Sequence, residues 1–364
     1  MTVRSRRFAF FGSSLISAYW NGACTYYRGL VRALHARGHR ITFYEPRAYE
    51  RQEHRDIDDP AWARIVVYEP TDAAAVRSVV ARARGADVIV KCSGVGVFDD
   101  VLEAAVADLD GPAMRIFWDV DAPATLTAME SGELAGLRSR IADYDLVLTY
   151  GGGRPVVDRY RALGARRCDA VYNALDPATH HPVPGRRDLA CDLVFLGNRL
   201  PDRERRVDDL FFGAVARAPA SRFVLGGNGW GDRVRSPNLR YLGHVSPADH
   251  NAVNCSARAV LNVTRDSMAA NGFSPPTRVF EAAGAGACLI TDAWEGIDQF
   301  LAADEEVLVA RDGREVAGLV AELDPRRAAE IGAAARRRIL GAHTYAHRAA
   351  QVEAILAEQE VAVS

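Results

Sequence analysis

Gly272-Phe-Ser-Pro-Pro-Thr-Arg-Val-Phe-Glu281, continuing through Ala-Ala-Gly-Ala-Gly286 into the apolar run Ala287-Cys-Leu-Ile-Thr291, reads as a loop, a short helix and a buried strand. Ser274 or Thr277 can accept from free N–H groups at the helix start, and Pro275 and Pro276 have the fixed φ that a first turn tolerates. Gly284 and Gly286 stop the helix and let the chain reverse into the strand. A helix start of this kind offers unpaired N–H groups and a positive dipole end to phosphate oxygens. Arg278 adds a fixed charge and a planar fork for the same oxygens. One turn further on, Glu281 shares a face with Arg278, and its carboxylate can accept from two vicinal hydroxyls, as acidic residues do with ribose in dinucleotide sites. Phosphate and ribose side by side describe a nucleoside diphosphate. A solvated i,i+3 ion pair accounts for the same two residues without any ligand.

Outward from this stretch, the chain alternates short apolar runs with helical patterns, twice over. In the first series, strands are expected at Phe8–Gly12, Arg40–Tyr44, Asp87–Cys92, Met114–Trp118, Leu146–Tyr150 and Ala170–Tyr172. Helices are expected between them, at 23–37, 72–84, 101–107, 134–142 and from Gly151-Gly-Gly153 through Leu163. In the second, strands are expected at Cys191–Gly197, Arg222–Leu225, Leu239–Leu242, Ala257–Val263 and Glu305–Val309, with helices after the first and last. βα alternation of this kind implies parallel sheets, whose ligands collect at the carboxyl ends of the strands. The stretch 173–187 holds three prolines and lacks periodicity, so it reads as a linker. The expected organisation is a first domain at 1–172, a linker at 173–187 and a second domain at 188–341. A final amphipathic helix, 342–364, has Ala346, Ala349, Ala350, Val352 and Ile355 as packing positions and is free to return to the first domain.

Composition narrows the partners. A chain of 364 residues is long enough for two cores, and a net charge of −2 gives no reason to expect nucleic acid or an anionic membrane. No stretch approaches the ~20 apolar residues needed to span a bilayer. The apolar run after Arg4-Ser-Arg-Arg7 is broken by Gly12-Ser-Ser14, and Trp20-Asn21 is a poor cleavage context, so this segment reads as a first strand rather than a signal peptide. Six cysteines without a C-x-x-C pair read as reduced thiols in a cytoplasmic protein. His180-His181 reads as linker polarity, because adjacent residues rarely face one ion. No G-x-G-x-x-G follows the first strand, so the dinucleotide fingerprint is absent.

Two further groups stand at strand ends of the second series. Gly197-Asn198 with Arg199 and Arg203 places arginine beside a helix start, an arrangement suited to diphosphate; a solvated start with Arg203 paired to nearby acids is the plainer reading. Trp230, after Gly226-Gly-Asn-Gly229, can stack on a base or sugar or pack between domains. Strand ends of the first series carry Ser13, Ser93, Asp119, Asp121 and Gly151–Gly153, with Gly22 closing the loop after the first strand.

Thr277-Arg-Val-Phe-Glu-Ala-Ala-Gly-Ala-Gly-Ala-Cys-Leu-Ile-Thr-Asp292 resembles the donor-site segment of the CgeB-like glycosyltransferases, a branch of the GT-B enzymes. The resemblance extends to Asn173-Ala-Leu-Asp-Pro177, Phe195-Leu-Gly-Asn198 and His343-Thr-Tyr-Ala-His-Arg348, and covers most of 170–350. It implies an α/β chain of two Rossmann-like doubly wound domains facing a central cleft, the donor on the second and the acceptor on the first. It implies that Glu281 binds the donor ribose. The loop Gly243-His-Val245 resembles one whose backbone meets the base edge, so Val245 matters through its main chain, while His244 alone reads as a satisfied loop histidine. Many retaining relatives carry a second glutamate eight residues before the ribose one; Phe273 stands there, so the resemblance assigns neither inversion nor retention. Asp119-Val-Asp121 looks like the D-x-D metal motif of the other large glycosyltransferase fold, though three residues are a weak signal. With the diphosphate housed elsewhere, Asp121, or else Asp119, is the candidate base for an acceptor hydroxyl; a carboxylate capping the following turn is the structural alternative.

The expected activity is transfer of a sugar from a nucleoside-diphosphate sugar, UDP- or dTDP-linked, to a hydroxyl-bearing acceptor, with no metal or other cofactor. A nucleotide-sugar epimerase or hydrolase of the same architecture, and a non-catalytic nucleotide-sugar sensor, are the alternatives.

Overall fold

The computed structural model describes residues 4–19 and 21–363, side chains 362 and 363 excepted. Trp20, and with it the cleavage context weighed above, lies outside the described residues. The chain divides into two compact units, Met1–Tyr172 with Tyr345–Ser364, and Asn173–Thr344.

The first unit is built on seven strands: β1 (Arg7–Phe11), β2 (Arg40–Pro46), β3 (Arg64–Tyr68), β4 (Val88–Cys92), β5 (Met114–Asp119), β6 (Leu146–Thr149) and β7 (Cys168–Ala170). All pair in parallel, in the order β3-β2-β1-β4-β5-β6-β7. Every residue of β4 is buried, the continuous apolar reading expected of a strand covered on both faces. Lys91 lies within it, neutralised by Asp99 and Glu103. The order reverses between β1 and β4, which places the ligand-collecting crevice of this sheet at their carboxyl ends.

Two elements of this unit have no counterpart in the sequence reading. β3 is an edge strand with only Tyr68 buried, although Ile65-Val-Val-Tyr68 is an apolar run like those of the other strands. The Ala122–Ser131 helix falls where a loop was expected; Pro123 sits in its first turn and Gly132 ends it at φ 87°. Its inner face is Ala122, Leu126 and Met129.

The last helix runs Tyr345–Val363, three residues later than expected, because Ala342 closes the preceding helix, Pro325–Ala342. It belongs to the first unit and packs on the Cys24–Ala36 helix. A Cβ on Gly29 would stand 2.2 Å from the Tyr345 ring, so only glycine admits this approach. Glu353 pairs with Arg37 and His39, Arg348 Nε donates to the Tyr172 carbonyl at 3.1 Å, and Gln351 donates to that of Ala170 at 2.9 Å. Ala349, Val352 and Ile355 are buried, but Ala346 is exposed, which removes it from the packing face.

The second unit has six parallel strands: β8 (Cys191–Leu196), β9 (Phe223–Gly226), β10 (Leu239–Gly243), β11 (Ala257–Asn262), β12 (Leu289–Asp292) and β13 (Leu308–Ala310). Their order, β10-β9-β8-β11-β12-β13, reverses between β8 and β11. The stretch 173–187 is not a free linker but part of this unit. Leu175 N donates to the His343 carbonyl at 2.8 Å, and Arg186 N to Ser256 Oγ at 2.8 Å. Leu175 is also buried against Gly284, where a Cβ would meet it at 2.4 Å.

Candidate functional site

The carboxyl ends of β8, β9 and β10 enclose a pocket of about 240 Å³ lined by Leu196, Gly197, Asn198, Gly226, Gly227, His244, Val245, Pro247, His250 and Arg278. Loop backbones approach closely here. Gly197 N donates to the Gly226 carbonyl at 2.8 Å, and Gly227 N to that of Gly243 at 2.6 Å. Gly227, at φ 125°, could carry no side chain, since a Cβ would lie 2.2 Å from the Gly197 oxygen. Gly197, Asn198, His244 and Val245, four residues expected at the donor site, are thus brought together. A larger hollow, about 690 Å³, lies in the first unit, but at the amino ends of its strands, where Arg7, Arg115 and Arg6 are engaged by Asp87, Asp145 and Glu360. Parallel sheets bind ligands at the other edge.

Arg278 and Glu281 come from the Thr277–Gly284 helix. Pro276 is its cap residue and no side chain caps it, so the expected capping by Ser274 or Thr277 does not occur and both prolines precede the first turn. Ser274 is buried, whereas exposed Thr277 turns its hydroxyl to Glu281. Arg278 Nη2 donates to the Leu196 carbonyl at 3.0 Å, tying the helix to the end of β8. Its Nη1 stands 3.4 Å from Glu281 Oε2, near enough to attract but without a hydrogen bond of its own. Burial works against the Glu281 charge, yet Arg278, His180 and His250 together with Thr277 outweigh it and hold the carboxyl below its ordinary range.

Arg203 approaches Arg278 from the Pro201–Val207 helix. Its Nη2 donates to the Asn198 carbonyl at 2.7 Å, its guanidinium lies 5.5 Å from the Phe195 ring centre, and its Nε has no partner. Among the described residues it forms no ion pair, so the pairing with nearby acids considered above is not its arrangement. Burial first, then Arg278 and Arg265, bring its pKa down to about 10. A guanidinium destabilised by Arg278 and without a carboxylate partner leaves a surplus of positive charge that an anion would satisfy.

Arg199 and Trp230 do not join them. Arg199 is held by Glu204 and Asp232. Trp230 is fully buried, packed on Phe195 and Phe212, with Nε1 donating to the Gly197 carbonyl at 2.7 Å. Buried in the core of the second unit, the ring presents no open face for stacking, and it pins the loop after β8 from within.

In the first unit the two aspartates part company. Asp119 is wholly buried: Oδ2 accepts from the Tyr160 hydroxyl, and Oδ1 from Thr125 Oγ1 at 3.0 Å and Asp121 N at 3.0 Å. With both oxygens engaged it is a turn-building group, which removes it as a base and breaks the D-x-D chelate. Asp121 is exposed at the carboxyl end of β5, its main chain held by that turn. Ser13 Oγ is spent on Asn21 Oδ1 at 2.9 Å, whereas Gly22 is exposed with open space around it.

His180 and His250 were missed as site residues. Their ring nitrogens and a Glu281 oxygen all lie within 4.8 Å of one another. Burial chiefly, with Arg278 adding to it, lowers the pKa of both imidazoles. Nothing in the local sequence marks them: they are 70 positions apart, and the packing of 173–187 on Gly284 brings His180 in, its carbonyl 2.9 Å from where a Cβ there would stand.

Residues 203–354 match a protein family described as glycosyl transferase-like. That segment is glycosyl transferase-like, and the chain has the GT-B fold. Its structure is similar to the sucrose-phosphate synthase of Thermosynechococcus elongatus, at 14% identity and TM-score 0.69, over 99% of this chain and 100% of that one. It is similar to Anabaena HepE in complex with UDP and glucose, at 14% identity and TM-score 0.65, over 97% and 100%. The E. coli trehalose-6-phosphate structure bound with UDP-2-fluoro glucose matches at 12% identity and TM-score 0.66, over 97% and 98%. No curated protein matches the sequence. The two parallel α/β sheets are those of this fold. Among the described residues, no helix is long and apolar enough to cross a membrane.

Proposed function

We propose that the chain is an enzyme of CgeB-like type that transfers a sugar from a nucleoside-diphosphate sugar to a hydroxyl-bearing acceptor. The observation that carries this reading is the pair Arg203 and Arg278, at the carboxyl edge of the second sheet, with Glu281 one turn beyond. Arg203, Arg278 and the helix start at Thr277 hold the diphosphate, Glu281 accepts from the ribose hydroxyls, and the backbone at Val245 meets the base. UDP and UDP-linked glucose bound to proteins of this fold support a uridine donor. Six free cysteines, all but Cys255 buried, support a reducing, cytoplasmic setting.

Catalysis on this reading comes from holding the reactants together and stabilising the departing diphosphate. Asp121 takes the acceptor proton. Asp121→Asn is then expected to abolish most turnover while leaving UDP affinity within twofold, by calorimetry; undiminished turnover would clear Asp121 of the role.

Glu281→Gln tests the donor site directly. Losing a charge-assisted hydrogen bond to ribose costs roughly 1.5–3 kcal/mol, a ten- to hundredfold rise in the UDP dissociation constant. Equal affinity in a folded variant would take Glu281 out of the site.

The reaction needs no metal on this reading, because arginines and helix-start N–H groups neutralise the diphosphate. Chelator should leave the rate near its starting value; abolition with rescue by magnesium or manganese would place a cation in the chemistry.

A further inference from the structure

We infer that His180, His250 and Glu281 form a binding site for a divalent transition ion of the zinc class, occupied in alternation with the donor nucleotide. The alternation rests on the assignment of Glu281 to ribose; the ion site does not.

The three ligand atoms lie within 4.8 Å of one another. A tetrahedral ion at about 2.0–2.1 Å from each ligand needs them roughly 3.3–3.4 Å apart, which modest side-chain rotation supplies. Two imidazoles and a carboxylate are the ligand set that suits zinc-class ions and leaves a fourth position for water.

The His180 imidazole is already oriented as a ligand should be. Thr179 Oγ1 lies 3.1 Å from the Asp176 carbonyl and 3.0 Å from His180 Nδ1. A carbonyl accepts only, so the hydroxyl proton points to Asp176 and the hydroxyl accepts from Nδ1–H. That leaves the lone pair of His180 on Nε2. The His250 ring is in turn hydrogen-bonded to the Val245 backbone. Outer hydrogen bonds of this kind fix tautomer and ring orientation at metal-binding histidines. His180 is itself held in place by the packing of its backbone against Gly284.

Arg278 bears on the carboxylate through Oε2 at 3.4 Å, beside the Thr277 hydroxyl. Its charge opposes a cation, which makes this a site for reversible loading and not for a resident structural metal. An ion drawing Glu281 toward the imidazoles takes away the acceptor that ribose needs, so free zinc should inhibit donor binding, and chelator should relieve it.

The probe is cobalt(II), added to metal-stripped, tag-free full-length protein and followed by visible absorption. Intense four-coordinate bands are expected, lost on adding zinc and lost on adding UDP. His180→Ala and His250→Ala should each weaken cobalt binding by about a hundredfold, and Thr179→Val by about 10–100-fold. His181→Ala should change nothing, and thermal melts confirm that each variant is folded. Absence of the bands in the unaltered protein, or bands equal in a folded His180→Ala/His250→Ala variant, overturns the ion site. Cobalt undisturbed by saturating UDP overturns the alternation and removes Glu281 from the ribose site. UDP binding with no cobalt bands leaves the donor site standing and the ion site refuted.

Discussion

Arg203→Ala is expected to lower turnover about 10²–10³-fold, the loss that follows removal of one preorganised donor to a developing charge. The same change should leave the melting temperature unchanged or raise it. Arg203 is half-buried, without a carboxylate partner and beside Arg278, so the folded protein without ligand carries a charge that its surroundings do not repay. Removing that charge relieves the fold and disarms the site, a trade of stability for activity. Paired measurements of kcat and thermal unfolding decide the matter. A fall in both by the same variant would mean that Arg203 is a structural residue, and a fall in neither would remove it from the diphosphate site. Arg199→Ala is the control: its guanidinium is already taken up by Glu204 and Asp232, and its loss should touch turnover far less.

Trp230→Ala is expected to destabilise the second unit by about 3–5 kcal/mol, the range for emptying a large aromatic from a packed core. The indole is fully buried between Phe195 and Phe212, and its N–H satisfies the Gly197 carbonyl at 2.7 Å. Trp230→Phe retains most of the packing and loses the hydrogen bond, so a smaller cost of roughly 1–3 kcal/mol is expected, from a carbonyl left unsatisfied. Because that carbonyl belongs to the loop after β8, the phenylalanine variant should also weaken UDP binding. Urea unfolding followed by far-ultraviolet circular dichroism gives the stability, and calorimetry the affinity. A cost below about 1 kcal/mol for Trp230→Ala would contradict burial of the ring.

The sequence by itself determined most of the two sheets, because strands buried on both faces read as near-continuous apolar runs, broken only by a group such as Lys91 that finds buried partners. Val88–Cys92 and Cys191–Leu196 are legible without any partner in view. Outside that reading lie β3, although its Ile65-Val-Val-Tyr68 run is apolar, and the Ala122–Ser131 helix, whose inner face is only three residues wide. The spacing of Arg278 and Glu281 was also local, being set by one helical turn. What only the tertiary structure decided is which charges are spent. Asp119 and Asp121 look alike in the chain, yet Tyr160, 41 positions away, claims the first. Arg199 and Arg203 sit four residues apart, but Asp232 and Glu204 take one and leave the other unpaired. Trp230 follows a glycine-rich loop, as a stacking residue would, and is instead buried by helix and strand residues distant in sequence. His180 was read as linker polarity, since nothing beside it foretells that 173–187 packs against Gly284. Periodicity reports what a residue's own element buries; the partners that satisfy or strand a polar group arrive from elsewhere in the chain, and only the fold brings them.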